Sequence, residues 1–190
     1  CASRTGMVPS AMIQRDFNLE CVNLATSGQA RMDFYIAEAM ASIEDAICYV
    51  IDPVPNCTKD RCDTATYDFI NILRTLRPEV PIVMVEGLMY PYTRHDSYHA
   101  EYLPQKNECF RRGFDQHVAE NPKGMYYMTH EGQTGPDMEG TVDGVHLTDY
   151  GFRAYADLLE IVVKEALDDT DVDYDVEPAY NVVRKKTFWQ

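Results

Sequence analysis

Long hydrophobic runs are missing from this 190-residue sequence. No uninterrupted apolar stretch approaches the roughly 20 residues that cross a bilayer, so no membrane span is expected. Basic residues are scarce: Lys and Arg number 17 against 31 Asp and Glu, a formal net charge of -14. The only basic cluster is Arg184-Lys185-Lys186. A field of that sign repels phosphates and argues against nucleic acid as a partner. Paired CxxC spacing is absent from Cys1, Cys21, Cys48, Cys57, Cys62 and Cys109, which removes the usual zinc pattern. Cys57 and Cys62 flank a short polar stretch and are open to two readings, a disulfide in an oxidising compartment or free thiols. Repeats and low-complexity segments do not occur. With no initiator Met, charged n-region or apolar signal segment before it, Cys1 is expected to be a processing, cloning or ordering boundary.

What is present suits one domain. A hydrophobic share of 45% and an aromatic share of 11% are ordinary for a globular chain, and the length supports a single core. The domain is expected over residues 1–168, with an acidic tail over 169–190 that turns basic at its end. Four short apolar runs read as strands: Leu19 to Ala25, Ala46 to Ile51, Pro81 to Glu86 and Met125 to His130. Their near-continuous hydrophobicity is the pattern of parallel strands covered on both faces.

Helical stripes separate these runs. Ile36, Ala39, Met40 and Ile43 share one face; Phe69, Ile70, Leu73 and Leu76 share another, with Asp63 or Thr64 as cap and Pro78 as stop. Phe110, Phe114, His117 and Val118 form a third stripe, in which His117 is expected to pack. Phe152, Tyr155, Leu159, Val162 and Val163 form a fourth behind Thr148 as cap. Alternation of strand and helix implies an α/β fold, a parallel sheet between two helical layers. Leu88 to Pro104, rich in Tyr, His and Pro, reads as an irregular loop at a strand's carboxyl end, where ligands bind in such folds.

Asp143-Gly144-Val145-His146, directly before the last helix, holds the strongest chemical signal. An Asp and a His three apart on a tight turn can face one side, the carboxylate holding the imidazole Nδ1 proton and leaving Nε2 as a general base. A plain Asp-Gly turn with Thr148 as helix cap is the competing reading. Gly28, in Ala25-Thr26-Ser27-Gly28-Gln29, and Asn56, in Asp52-Pro53-Val54-Pro55-Asn56-Cys57-Thr58, each follow an expected strand. A glycine N–H and an asparagine amide there could together hold an oxyanion, or be a turn glycine and a loop asparagine. His95 and His99, with Asp96 and Glu101, would suit a metal if they shared a helix, but Pro91 and Pro104 bracket them and a pocket rim is the expected role. His130 ends a strand and could line the pocket.

In order and spacing, the Gly28 segment, PNCT with Asn56, the PIVMVEG strand and TVDGVHLTDYG resemble the blocks of SGNH hydrolases, the GDSL-like lipase/acylhydrolase family, from Cys1 to about the end of the last helix. The resemblance implies a three-layer α/β/α flavodoxin-like sandwich, no cofactor and no metal. It assigns Gly28 and Asn56 to the oxyanion hole, His146 to the base and Asp143 to orienting His146. In relatives the nucleophilic serine lies a few residues before a stretch like CASRTGM, so the nucleophile is expected upstream of residue 1, and Ser3, Ser10 and Ser27 do not match it. The first, central strand would then also lie upstream, in a segment of the same or another chain. Without it, the Leu19 to Ala25 and Ala46 to Ile51 strands would stand about 9.5 Å apart across a slot.

The resemblance thus implies a serine esterase acting through an acyl-enzyme on a short acyl, most plausibly acetyl, ester of a small molecule or carbohydrate. A bacterial periplasmic or secreted setting accompanies it. The rival reading from another class is a glycan- or acyl-binding protein without turnover; a metal-dependent hydrolase using His95 and His99 is a third.

Overall fold

The computed structural model describes residues 2–170. Three parallel strands, β1 (Tyr49–Ile51), β2 (Ile82–Val85) and β3 (Met125–Met128), form a sheet in the order β1-β2-β3. Tyr49 pairs with Ile82, and Val83 with Tyr126. Five α-helices cover it: α1 (Pro9–Phe17), α2 (Phe34–Ala41), α3 (Lys59–Leu76), α4 (Ser97–Glu120) and α5 (Asp149–Asp168).

Side-chain alternation along β2 divides the interior in two. Ile82 and Met84 join Phe69, Ile70, Leu73 and Phe110 under α2, α3 and α4, while Val83 and Val85 join Ile13, Phe17, Leu159 and Val163 under α1 and α5. Successive residues of a strand point to opposite faces, so a strand buried on both must be apolar throughout. The three-layer α/β/α arrangement follows.

Several expectations are corrected. Leu19 to Ala25 forms no strand. Val22 and Leu24 are exposed, and side chains serve the local backbone instead of a ladder: Cys21 N–H donates to Gln14 Oε1 and Ala25 N–H to Asn23 Oδ1. Without a neighbouring backbone to pair with, an apolar run gains nothing from strand geometry. The cap of α3 is Thr58, whose Oγ1 accepts from Arg61 N–H at 3.1 Å, not Asp63 or Thr64. The helix starts early because Cys62, Ala65 and Thr66 also belong to its buried face. Pro104 lies inside α4 rather than before it. The helix is capped by Asp96, whose carboxylate accepts from His99 N–H, and the buried stripe of Leu103, Asn107, Phe110 and Phe114 outweighs the roughly 3 kcal/mol that an interior proline costs. The tail expected over 169–190 lies, apart from Asp169 and Thr170, outside the described residues, as does Cys1. Among the described residues no helix is long and apolar enough to cross a membrane.

Candidate active site

All three strands run the same way, so the segments that follow them gather at one edge: 52–56 after β1, 86–92 after β2 and 129–135 after β3. The Asp143 turn joins this edge through the loop that leads into α5. Thr141 and Leu147 bridge across the loop, and Val142 N–H donates to the His146 carbonyl at 2.8 Å. Thr148 caps α5 by accepting from Gly151 N–H.

Within that loop the predicted pair is formed. His146 Nδ1 lies 2.7 Å from Asp143 Oδ2, while the backbone N–H groups of Val145 and His146 donate to Oδ1 at 2.9 and 2.8 Å. These bonds, the backbone one from His146 foremost, hold the Asp143 carboxyl well below the usual carboxylate range. An ionised carboxylate accepts, so Nδ1 bears the proton and Nε2 is the free basic nitrogen. Both side chains are solvent-accessible, His146 at 66%. Gly144 makes the turn possible, with φ at +89° in the left-handed region that favours glycine.

Asn56 ends a 3-10 turn, Val54–Asn56, and is exposed. The turn is seated against the end of β2: a Cβ on Gly87 would lie 2.7 Å from Val54 Cγ1, and Asn107 clamps Gly87 by accepting from its N–H and donating to its carbonyl, each at 2.9 Å. Gly28 is exposed in a turn at φ +67°. Its carbonyl accepts from Arg31 Nε at 3.1 Å, and Arg61 on the first turn of α3 donates to the carbonyls of Arg31 and Met32 at 2.9 and 2.7 Å. The Gly28 turn is therefore tied to the helix that begins just after Asn56.

A tyrosine wall spans the distance from the Asn56 turn to the His146 turn. Pro55 and Tyr90 line one small cavity, the Tyr90 and Tyr92 rings lie 5.4 Å apart, and Tyr92 packs against Gly144. Asp143 with His146 is thus the directly bonded pair, whereas Asn56 and Gly28 are linked to it through intervening residues. Among the described residues no serine hydroxyl is hydrogen-bonded to His146: Ser3 Oγ donates to Asp149 Oδ2 at 2.5 Å, and Ser10 Oγ accepts from Asn23.

Some features of this edge escaped sequence reasoning. Asp96 and His99 repeat the Asp-x-x-His arrangement, with Nδ1 2.6 Å from Oδ2, and the repeated spacing was the available signal. His95 lies in the preceding 3-10 turn, so the two histidines share no helix face. Among the described residues no group of three or more His, Cys, Asp or Glu side chains is placed to hold a metal. His130 donates its backbone N–H to Glu86 Oε2 at 3.0 Å and brings Nδ1 to 2.7 Å from the same oxygen; nothing local in the sequence marks a pair 44 residues apart. His117 is buried against Tyr67. Cys57 and Cys62 are free thiols.

A sheet edge where parallel strands converge, with an Asp-oriented imidazole in the loop before α5, defines an α/β protein whose candidate site lies at the carboxyl ends of its strands. The chain belongs to the GDSL-like lipase/acylhydrolase family, which matches residues 1–164. Its fold is similar to that of a protein described as a GDSL-like lipase from Bacteroides ovatus ATCC 8483, at 29% identity and a TM-score of 0.82, covering 88% of this chain and 49% of that one. A family two carbohydrate esterase from Clostridium thermocellum in complex with cellohexaose shares the fold at 15% identity and a TM-score of 0.60, over 88% and 56% of the two chains. So does a carbohydrate acetylesterase family member from Sinorhizobium meliloti, at 15% identity and a TM-score of 0.52, over 87% and 89%. The chain spans about half the length of the first two. No curated protein matches it.

Proposed function

We propose that this protein is a serine esterase that removes a short acyl group, acetyl foremost, from a small or carbohydrate alcohol through an acyl-enzyme. The observation that carries the reading is the Asp143–His146 pair, held by one side-chain and two backbone contacts. His146 Nε2 takes the proton of an attacking hydroxyl as the C–O bond to the ester carbonyl forms, and Asp143 stabilises the imidazolium. The Gly28 N–H and the Asn56 side-chain amide receive the oxyanion. Collapse of the tetrahedral intermediate expels the alkoxide, which His146 protonates; water, deprotonated by the same nitrogen, then releases the acid. Ser3 and Ser10 are engaged elsewhere, and the family resemblance assigns the attacking hydroxyl to a serine in the block preceding CASRTGM.

A carbohydrate alcohol is supported by the exposed aromatic wall near the pair: Tyr98, 63% exposed, stacks on Tyr102 at 5.3 Å between ring centres. Flat aromatic faces of this kind suit the apolar face of a sugar ring. The names of the two carbohydrate esterases with the same fold point the same way. Hydrolysis of 4-nitrophenyl acetate and of an acetylated sugar by the native protein, abolished in His146→Ala, is the expected result. Equal hydrolysis by His146→Ala would overturn the reading.

A further inference from the structure

Cys57 and Cys62 occupy two related positions around the start of α3. Thr58 is the cap and accepts from Arg61 N–H at 3.1 Å, so Cys57 immediately precedes the cap and Cys62 is the fourth residue of the helix. Side chains at these two positions commonly pack on each other across the first turn, where an apolar pair fixes the angle at which the chain enters the helix. Here the pair is two thiols. Both are free, 4% and 0% exposed, and belong to the same core cluster. They are in hydrogen-bond contact, with Cys62 S–H donating to the Cys57 sulfur.

Their surroundings make the two thiols unequal. The hydrogen bond from Cys62 brings the Cys57 thiol below its ordinary value against the effect of burial, and the charges of Lys106, Arg61 and Arg31 act in the same direction as the bond. Cys62 is raised by giving that bond and by its own burial. The thiolate is the form that attacks an oxidant, so Cys57 is the nucleophile and Cys62 the resolving partner. Position agrees with this order. Cys57 lies at the rim of the core between the exposed residues Asn56 and Thr58, whereas Cys62 is fully enclosed.

We propose that Cys57 and Cys62 are a peroxide-responsive pair that closes to a disulfide and displaces Asn56, the residue before Cys57. The Cys57 thiolate attacks one oxygen of hydrogen peroxide; the O–O bond breaks, hydroxide leaves and Cys57 becomes a sulfenic acid. The Cys62 sulfur then attacks the Cys57 sulfur, its proton and the departing hydroxyl leave as water, and the S–S bond forms. Two thiols are oxidised and one peroxide is reduced to two waters.

Closure draws the sulfurs from non-bonded contact to about 2.05 Å. Phe69, Ile70 and Leu73 anchor α3 in the core, while Val54–Asn56 is a single 3-10 turn, so the turn makes most of the movement. The redox pair is independent of turnover; its effect on hydrolysis rests on the oxyanion role proposed for Asn56.

The test treats the reduced full chain with hydrogen peroxide and maps the product without reduction. Trypsin cuts after Lys59 and Arg61, between the two cysteines, so the disulfide is expected as two peptides joined through Cys57 and Cys62 that dithiothreitol separates. In Cys62→Ala, peroxide is expected to leave Cys57 as a sulfenic acid that dimedone captures. With asparagine labelled by nitrogen-15, the Asn56 side-chain resonances are expected to move on oxidation and return with dithiothreitol. Hydrolysis of 4-nitrophenyl acetate is expected to fall roughly 10- to 100-fold in the oxidised protein, as for a catalytic group displaced by about 1 Å.

Absence of a Cys57–Cys62 disulfide in the peroxide-treated parent overturns the pair, whether or not the variant folds, and so does a bond from either thiol to Cys48 or Cys109. A disulfide that leaves the Asn56 resonances unmoved overturns the coupling to the turn. If the reduced protein hydrolyses no ester, the enzyme reading fails while the peptide map and the resonances still decide the pair. Resonances that move with hydrolysis unchanged uphold the pair and remove Asn56 from the oxyanion hole.

Discussion

The ring of Tyr92 fills the space beside the α-carbon of Gly144, where an added Cβ would lie 2.5 Å from Tyr92 Cδ1. Tyr92 is in turn edge-on to His99, with ring centres 5.6 Å apart, and His99 is held by Asp96. The turn that bears Asp143 and His146 thus rests on the segment that follows β2, and its shape depends on residue 144 having no side chain.

Gly144→Ala should therefore damage activity beyond its effect on folding. The alanine meets both the Tyr92 ring and a φ of +89°, so the turn must shift. A displacement of about 1 Å in a catalytic group can cost on the order of 100-fold in rate. A loss of esterase activity with a retained cooperative melt is expected. Unchanged kcat in Gly144→Ala would show that the turn's geometry is not used.

Asp143→Asn separates orientation from simple folding. The amide can still accept the backbone N–H bonds of Val145 and His146 but no longer stabilises an imidazolium, and it favours the wrong tautomer. By analogy with triad enzymes, kcat is expected to drop by about 10⁴-fold. Because Asp143 is held well below its ordinary value in the fold, its contribution to stability is present above the ordinary carboxylate range and is lost as pH falls through and below it. The variant's stability should accordingly respond less to acid than the parent's, as followed by thermal melts from neutral pH downward.

Asn56→Ala tests the oxyanion assignment. Removal of one preorganised donor costs roughly 10²- to 10³-fold in kcat, and KM should change little because the donor acts on charge that develops in the transition state. Asn56 is exposed at the end of its turn, so the melt should stay close to the parent's. A rise in KM with kcat preserved would place Asn56 in ground-state binding instead.

How much of this was legible in the sequence depended on how local the determinant was. The Asp143–His146 pair is complete within four residues, so its hydrogen bond could be read directly. β2 was legible because a strand buried on both faces must be apolar at every position, as Ile82 to Val85 are. Leu19 to Ala25 is also largely apolar, interrupted by Glu20 and Asn23, but strand formation needs a neighbouring backbone, which composition does not encode. α1 went unread because its buried residues, Met12, Ile13 and Phe17, make a sparse stripe within only nine residues. The start of α3 was misplaced because its first buried positions are the small residues Cys62, Ala65 and Thr66, which give a weak periodic signal. The Glu86–His130 pair and the Tyr92–Gly144 contact join distant segments, and only the fold brings them together.

Asp52 offers a pH test at the same sheet edge. It follows β1, and its Oδ2 accepts from the Tyr155 hydroxyl at 2.7 Å. Packing around the carboxyl raises it from 3.8 to about 6, against the lowering effect of that hydrogen bond. The residue as a whole is nonetheless exposed at the surface, so solvent weakens the penalty. With the folded value above the unfolded one, the native state binds more protons than the unfolded state between them. Ionisation of Asp52 therefore lowers stability as pH rises from about 3.8 through about 6. Asp52→Asn keeps an acceptor for Tyr155 and removes the ionisation, so its melting temperature should exceed the parent's at pH 7 and the gap should narrow toward pH 4. A variant that is less stable than the parent at pH 7, with the same trend at pH 4, would mean that the Tyr155 hydroxyl needs a charged acceptor and that the carboxylate contributes net stability.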